Sequence, residues 1–463
     1  MPRRTPLLRG WAILLPAVAV ALAPLALTRP VGDPSPWLHL RVGQFLREGG
    51  RFGLPDPWAP FATHAYVPTQ WLPSIVVSDL TDRFGLGAVV WTRDLGIVAL
   101  FVAVHLALRA LADVRISLVV SSAVMLAAWP ALTERPQLLG FVLLAPVVAL
   151  WQASARDGRA RWSLVPLSWL LACTHGIWSL GLAVGAVCVV ATPWGRAGHR
   201  RMAGVWVASL AATALTPLGP RILATPFAAG SNGRQFVEEW LPSSARDPHV
   251  AVALGLCAVL VALWLFQPER PPLWQVLLLL LSIVLTLSMQ RTAPVAALVL
   301  APMVAAAGTL RWGSLDRERP APATERWALL AAVVVAALVA LPLSASAARQ
   351  EPAYVPQALQ APLDALPAGT RVLAEGDVTG WLLYTAPQLR PVFDLRIEAY
   401  APDHVRDYID ARAAEPGWQS FIAKTAPRAA LLLESAPLAG ALQEESHWTE
   451  QARDRGFVLL VAP

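Results

Sequence analysis

The sequence is short of charged residues and almost lacks lysine. Only 15% of its 463 residues are charged, whereas about a quarter are charged in a soluble globular domain. Lys424 is the one lysine among 37 basic residues, so arginine carries the positive charge. Together with 56% hydrophobic residues and a mean hydropathy of +0.50, this composition excludes a soluble globular protein and predicts a polytopic membrane protein.

Several chemical signatures are also absent. Cys173, Cys188 and Cys257 lie in apolar runs, where they are expected to be small buried hydrophobes and not a disulfide framework. The chain has no P-loop, GxGxxG, GxSxG, HExxH or CxxC pattern. ATP-driven, nicotinamide, serine-hydrolase and zinc chemistry therefore lack support. The net charge of +6 does not indicate a nucleic-acid partner, because the arginines flank apolar segments and suit membrane-lipid head groups.

Long apolar runs fill residues 1–343 and predict about eleven transmembrane helices, since about 18 apolar residues cross a bilayer as a helix. Arginines concentrate in alternate short loops, which predicts a cytoplasmic N-terminus. The arginine-rich and alanine-rich composition suggests a bacterial source, and hence the inner membrane. With this orientation, polar segments converge on the outer face: the first outer loop 29–72, the turn 134–136, the break 174–176, the loop 217–247, the junction 290–291 and residues 344–463.

Residues 344–463 have a different composition from the rest of the chain. Hydrophobic runs shorten to strand length in 371–376, 391–396, 429–435 and 456–463, and helical patterns lie between them. We therefore predict a small extracytoplasmic α/β domain at 344–463, which follows a transmembrane domain at 1–343.

The first outer loop holds the candidate catalytic carboxylates Asp33 and Asp56. A carboxylate beside the membrane could act as general base on a hydroxyl of a lipid-carried substrate or its acceptor. Asp33 and His39 could also ligate a divalent cation, which is the cofactor candidate. The alternative is structural: both aspartates lie in Pro-rich turns, and His39 would then lie on a short interfacial helix.

Further candidates for substrate binding lie in the other outward segments. Arg135 and Arg291 are placed to hold a lipid phosphate, for which a planar guanidinium is well suited. His175 stands at a glycine-containing break, and Glu239 lies in the outer loop 217–247. Trp71 could stack on a sugar, although anchoring at the membrane surface is the commoner role of such tryptophans. Interfacial snorkelling is the alternative for the arginines.

Seven short motifs follow one another from Asp33 to Tyr400 and read DPSPWLHLRVG, LPDPWA, QWL, RPQ, THG, EEW and DLRIEAY. Their order resembles that of the GT-C superfamily of polytopic membrane glycosyltransferases, and especially a poorly characterised bacterial group. Some positions diverge from the group's pattern, such as Ser35, where a second aspartate is expected, and Gln70, where a glutamate precedes Trp-Leu.

The resemblance implies a GT-C-like helical membrane fold and a polyprenyl-phosphate-linked sugar as donor. In such enzymes an acidic residue of the first outer loop serves as base or metal ligand, and that role would fall to Asp33, with His39 and Asp56 nearby. The expected function is transfer of the sugar to an extracytoplasmic acceptor. The alternative is a non-catalytic relative that binds or exports lipid-linked saccharide.

Overall fold

The computed structural model describes residues 6–192, 198–227, 235–236, 240–312, 323–350, 352 and 354–463. It contains two compact units, each built from segments that are distant in sequence. Unit 1 comprises residues 1–29, 86–226 and 237–347, and unit 2 comprises residues 30–85, 227–236 and 348–463. The first outer loop, placed with the transmembrane helices by the sequence, thus packs in the same unit as the C-terminal segment.

Unit 1 is helical. Its helices are α1 Pro6–Leu27, α4 Gly87–Arg109, α5 Val114–Ala128, α6 Gln137–Asp157, α7 Leu164–Thr174, α8 Trp178–Val190, α9 His199–Ala214, α10 Pro248–Leu265, α11 Leu273–Ser288, α12 Ala293–Trp312 and α13 Ala323–Ala347. Within the described residues, six helices are long and apolar enough to cross a membrane, and a bent pair at 199–227 would make seven. Four shorter apolar helices accompany them. The chain is therefore a multi-pass membrane protein, but the predicted count of about eleven spans is not confirmed.

Ionisable side chains inside unit 1 are matched with one another. Arg93 lies in α4 and pairs with its neighbour Asp94 and with Glu134. At the other end of α4, Arg109 donates to Glu325 of α13 at 2.8 Å, and His105 lies 3.2 Å from the same carboxylate. All of these side chains are buried, and burying a charge is costly unless it is paired. The pairs thus fix how α4 packs against its neighbours.

Unit 2 contains a five-stranded sheet with the order β2-β1-β3-β5-β4. Strands β1 and β2 are parallel, as are β1 and β3, whereas β5 runs antiparallel to β3 and β4. The strands are β1 Arg371–Ala374, β2 Arg390–Pro391, β3 Ala429–Leu433, β4 Thr449–Asp454 and β5 Phe457–Val461. The helices of this unit are α2 Ser35–Arg47, α3 Trp71–Phe84, α14 Gln360–Asp364, α15 Gly376–Thr385, α16 Pro402–Arg412, α17 Trp418–Thr425 and α18 Pro437–Glu444.

The predicted α/β character of the C-terminal segment is confirmed, with two differences in detail. Strand β4 was not predicted, because its sequence TEQARD is polar and mostly exposed, as suits an edge strand. The predicted strand 391–396 is cut short at Pro391, and the residues that follow turn Asp394 and Arg396 into the interior.

The α2–α3 pair shows how closely the first outer loop packs. A Cβ atom at Gly43 of α2 would lie 2.1 Å from the backbone oxygen of Ser74 in α3, so only glycine fits at this crossing. Residues 71–84 form α3, which packs on α2.

We expect Glu325→Gln to destabilise the helical unit, because it removes the negative charge that the buried Arg109 guanidinium pairs with at 2.8 Å. Breaking a buried pair by removing one partner costs about 3–5 kcal/mol. Thermal unfolding of the purified full chain in detergent should show a lower Tm for this variant. The exposed Glu269→Gln change serves as the matched control. Equal Tm values for the two variants would show that the Arg109–Glu325 pair does not stabilise the helices.

Candidate functional site in the first loop

Asp33 lies two residues before the first residue of α2 and is buried, with 6% of its surface exposed. Its Oδ1 accepts a hydrogen bond from the backbone N–H of Ser35 at 2.9 Å. This is the short local turn that an Asp-Pro-Ser sequence favours, and it fixes the orientation of the carboxylate at the start of the helix.

Tyr354 holds the backbone at Asp33. The Tyr354 hydroxyl donates to the Asp33 carbonyl oxygen at 2.7 Å, and the Trp37 indole N–H donates to the Tyr354 oxygen at 3.1 Å. Trp37 is itself buried and lies 5.5 Å from the ring of Tyr384. Trp37 is therefore a packing residue of unit 2, and the position of Asp33 depends on a residue more than 300 positions later in the chain.

His39 and Trp71 lie on the two packed helices α2 and α3. The His39 Nδ1 atom lies 3.4 Å from the Ser74 hydroxyl oxygen. Trp71 is the first residue of α3 and is half-buried. Both predicted residues thus belong to the unit that contains Asp33.

Asp56 has a different environment, because hydrogen-bond donors surround its carboxylate. Its Oδ1 accepts from the backbone N–H groups of Trp58 and Ala59, both at 2.9 Å. The Arg396 guanidinium donates to both carboxylate oxygens, at 2.9 and 3.0 Å. These four hydrogen bonds are typical of a structural carboxylate that holds a loop in place.

Arg396 is the centre of this arrangement, and its side chain is fully buried. Besides Asp56 it pairs with Asp394 at 2.7 Å, so one guanidinium joins two carboxylates. The LPDPWA and DLRIEAY motifs, which are 340 positions apart at Asp56 and Arg396, therefore meet in the interior of unit 2.

Aromatic rings enclose the Arg396 guanidinium. The rings of Phe52, Trp58 and Tyr66 lie between 4.8 and 5.6 Å from its central carbon, which is within the range of cation–π contacts. Burial alone would lower the pKa of Arg396, but the adjacent Asp394 and Asp56 outweigh it and raise that pKa above its ordinary value. Burial raises the pKa of Tyr66. Arg396 is thus a permanent cation beside the neutral phenol of Tyr66.

The remaining predicted residues belong to unit 1. His175 caps α7 and is buried, and its Nδ1 accepts from the Ile177 backbone N–H at 3.2 Å. A Cβ atom at Gly140 would lie 2.9 Å from the His175 Cβ, so the THG break packs on the first turn of α6, just after the Arg135 turn. The Arg291 guanidinium lies 4.7 Å from the Trp240 ring centre. Glu239 lies outside the described residues.

No three His, Cys, Asp or Glu side chains converge as a metal-binding group within the described ranges. Asp33 and His39 thus have no third ligand of these types there. The predicted role of a divalent cation stays a prediction.

Two important residues were missed by sequence reasoning in different ways. Arg396 lies in a motif that was recognised, but nothing in the sequence showed that it pairs with Asp56. Tyr354 lies in no motif, and its role becomes visible only when the chain folds back on the first loop.

Solved structures share this architecture. One is the archaeal oligosaccharyltransferase AglB from Archaeoglobus fulgidus in complex with an inhibitory peptide and a dolichol-phosphate; it is 11% identical, the match covers 95% of this chain and 70% of that one, and the TM-score is 0.63. Another is ArnT from Cupriavidus metallidurans bound to undecaprenyl phosphate, with 15% identity, coverage of 97% and 98%, and a TM-score of 0.53. The chain has the GT-C fold.

No protein-family model and no curated protein matches the sequence. The GT-C fold is thus recognised from backbone architecture, and the low identity agrees with the divergent motifs. The fold prediction made from the order of motifs is confirmed.

We expect Arg396→Met to destabilise the protein strongly, because it removes the positive charge that pairs with two buried carboxylates. The expected cost is about 3–5 kcal/mol. Arg396→Lys should also destabilise, since an ammonium cannot form the two-sided bidentate contact. Thermal unfolding of the full chain would measure both, with Arg406→Met on the exposed face of α16 as control. A Tm for Arg396→Met equal to that of the control would contradict a structural role for the cluster.

Proposed function

We propose that the protein is a membrane glycosyltransferase that moves a sugar from a polyprenyl-phosphate carrier to an extracytoplasmic acceptor. The observation that carries this proposal is the fold, which is shared over nearly the whole chain with ArnT bound to undecaprenyl phosphate and with AglB bound to a dolichol-phosphate. The lack of a nucleotide-binding motif also favours a lipid-phosphate donor.

In the proposed reaction the acceptor hydroxyl oxygen attacks the anomeric carbon of the sugar. Asp33 takes the hydroxyl proton as general base. The bond between the anomeric carbon and the phosphate oxygen breaks, and its electron pair leaves with the polyprenyl phosphate. Asp33 is preferred over Asp56 for this role, because the hydrogen bonds of Asp56 already serve Arg396 and the loop backbone.

The departing phosphate requires positive charge, which preorganised guanidinium groups would supply. We assign this role to Arg135 or Arg291. His39 would orient the acceptor, and His175, Trp71 and Glu239 remain proposed substrate contacts. The N-terminus would be cytoplasmic, and Asp33 would act on the outer side of the bacterial inner membrane.

A second candidate function is binding or export of lipid-linked saccharide without catalysis. The four hydrogen bonds to the Asp56 carboxylate favour this alternative, because they give Asp56 a structural role. Ser35 stands where the family pattern has a second aspartate, so Asp33 is the main candidate base in the first loop. Such a protein would bind polyprenyl phosphate and would transfer no sugar.

We expect Asp33→Asn to reduce sugar transfer by about 100-fold or more, the usual contribution of a general base, while leaving the Tm unchanged. The assay uses purified full-length protein in nanodiscs, undecaprenyl phosphate that carries a radiolabelled hexose or pentose, and a membrane extract as acceptor. Asp403→Asn, an exposed position on α16, is the control. Full activity of Asp33→Asn would refute its role.

Arg291→Gln and Arg135→Gln test the phosphate-binding assignment. We expect at least one of them to weaken binding of undecaprenyl phosphate about tenfold, since a charge-assisted hydrogen bond contributes about 1.5–3 kcal/mol. Native mass spectrometry of the full chain would measure the bound lipid. Binding by wild type without any transfer would support the second candidate function; no binding by wild type would contradict both.

A further inference from the structure

A cavity of about 420 Å³ lies in unit 2, and none of the residues assigned to the reaction lines it. This volume is within the range of small-molecule sites. Its polar lining combines two carboxylates with two guanidinium groups, and aromatic rings complete it. The residues concerned are Tyr354, Glu375, Asp377, Arg412, Arg455 and Phe457.

The cavity lies at the ends of two neighbouring strands, β1 and β3, from which the chain continues to opposite sides of the sheet. Strands β1 and β3 are adjacent and parallel, but the chain leaves β1 towards β2 at one side and leaves β3 towards β4 and β5 at the other. Glu375 directly follows β1, and Leu433, which ends β3, also lines the cavity. In open α/β sheets, ligands bind in the crevice that such a divergence opens at the carboxyl ends of the strands.

The charges around the cavity balance. Glu375 is buried and pairs with Arg412 at 2.7 Å. Asp377 and Arg455 are exposed and add one charge of each sign. Burial raises the pKa of Glu375, and the neighbouring Arg412 opposes that shift. With no net charge, the cavity favours neither an anion nor a cation.

We propose that this cavity binds a neutral saccharide. Sugar hydroxyls donate to carboxylates and accept from guanidinium groups, so a ligand rich in hydroxyls can use both kinds of side chain at once. The rings of Tyr354 and Phe457 give apolar surface for the C–H faces of a sugar. A phosphate or carboxylate ligand would meet Glu375 and Asp377 as well as the two arginines, so repulsion offsets attraction and the cavity does not select an anion.

Tyr354 connects the cavity with the first loop. It lines the cavity, and its hydroxyl donates to the carbonyl oxygen of Asp33. If the proposed function holds, the bound saccharide is the acceptor or part of it.

Saturation-transfer NMR and calorimetry on the full chain in nanodiscs would test the site. The probes are the neutral disaccharides maltose, lactose and cellobiose, with glucuronate and glucose 1-phosphate as anionic comparisons. We expect a neutral probe to bind, and the Asp377→Ala and Arg455→Gln variants to bind it about tenfold more weakly, the effect of losing one charge-assisted hydrogen bond. Asp403→Ala and Arg406→Gln on α16 are matched controls that should bind normally.

Three results would overturn the proposal: no neutral probe binds wild type, an anionic probe binds better than the neutral ones, or the cavity variants bind as the controls do. Asp377 is exposed, so its variant should fold, and an unchanged Tm would confirm this. The test is independent of catalysis. Saccharide binding without any sugar transfer would support the cavity site and contradict the proposed transferase function. Sugar transfer without saccharide binding would support the transferase function and contradict the cavity site.

Discussion

The pairing of Arg396 with Asp56 and Asp394 is the interaction on which unit 2 depends. All three side chains are withdrawn from water, and each such ion loses several kcal/mol of solvation. Only close, bidentate geometry on both sides offsets that loss, and the surrounding aromatic rings exclude water that would weaken it. The cluster therefore holds the first loop against the segment that carries Arg396.

This constraint decides which carboxylate is available for chemistry. A general base must reach the proton that it accepts, but the carboxylate of Asp56 is turned towards Arg396 and two backbone N–H groups. Asp33 accepts a hydrogen bond in a local turn, and its backbone is held by Tyr354, so its position does not depend on the Arg396 cluster. The same loop thus combines a structural acid with a candidate catalytic acid.

The sequence predicted those features that depend on local pattern. Apolar runs indicated the membrane helices, the break at His175 separates α7 from α8 as expected, and the order of motifs indicated the GT-C fold. Span number could not be settled, because several apolar helices are shorter than a bilayer crossing requires. The Arg396–Asp56 and Tyr354–Asp33 contacts could not be predicted either, since each joins residues more than 300 positions apart and neither has a periodic signal.

The pairing of charges inside unit 1 narrows the choice of phosphate-binding residues. Arg93 and Arg109 form ion pairs with carboxylates of neighbouring segments. A charge that is buried in an apolar environment needs such a partner. The Arg291 guanidinium lies over the ring of Trp240. A guanidinium that stacks through its face keeps its positive charge and directs its N–H groups outward from its edge. Because Arg93 and Arg109 already neutralise buried carboxylates, the proposed contact with the departing phosphate does not fall to either of them.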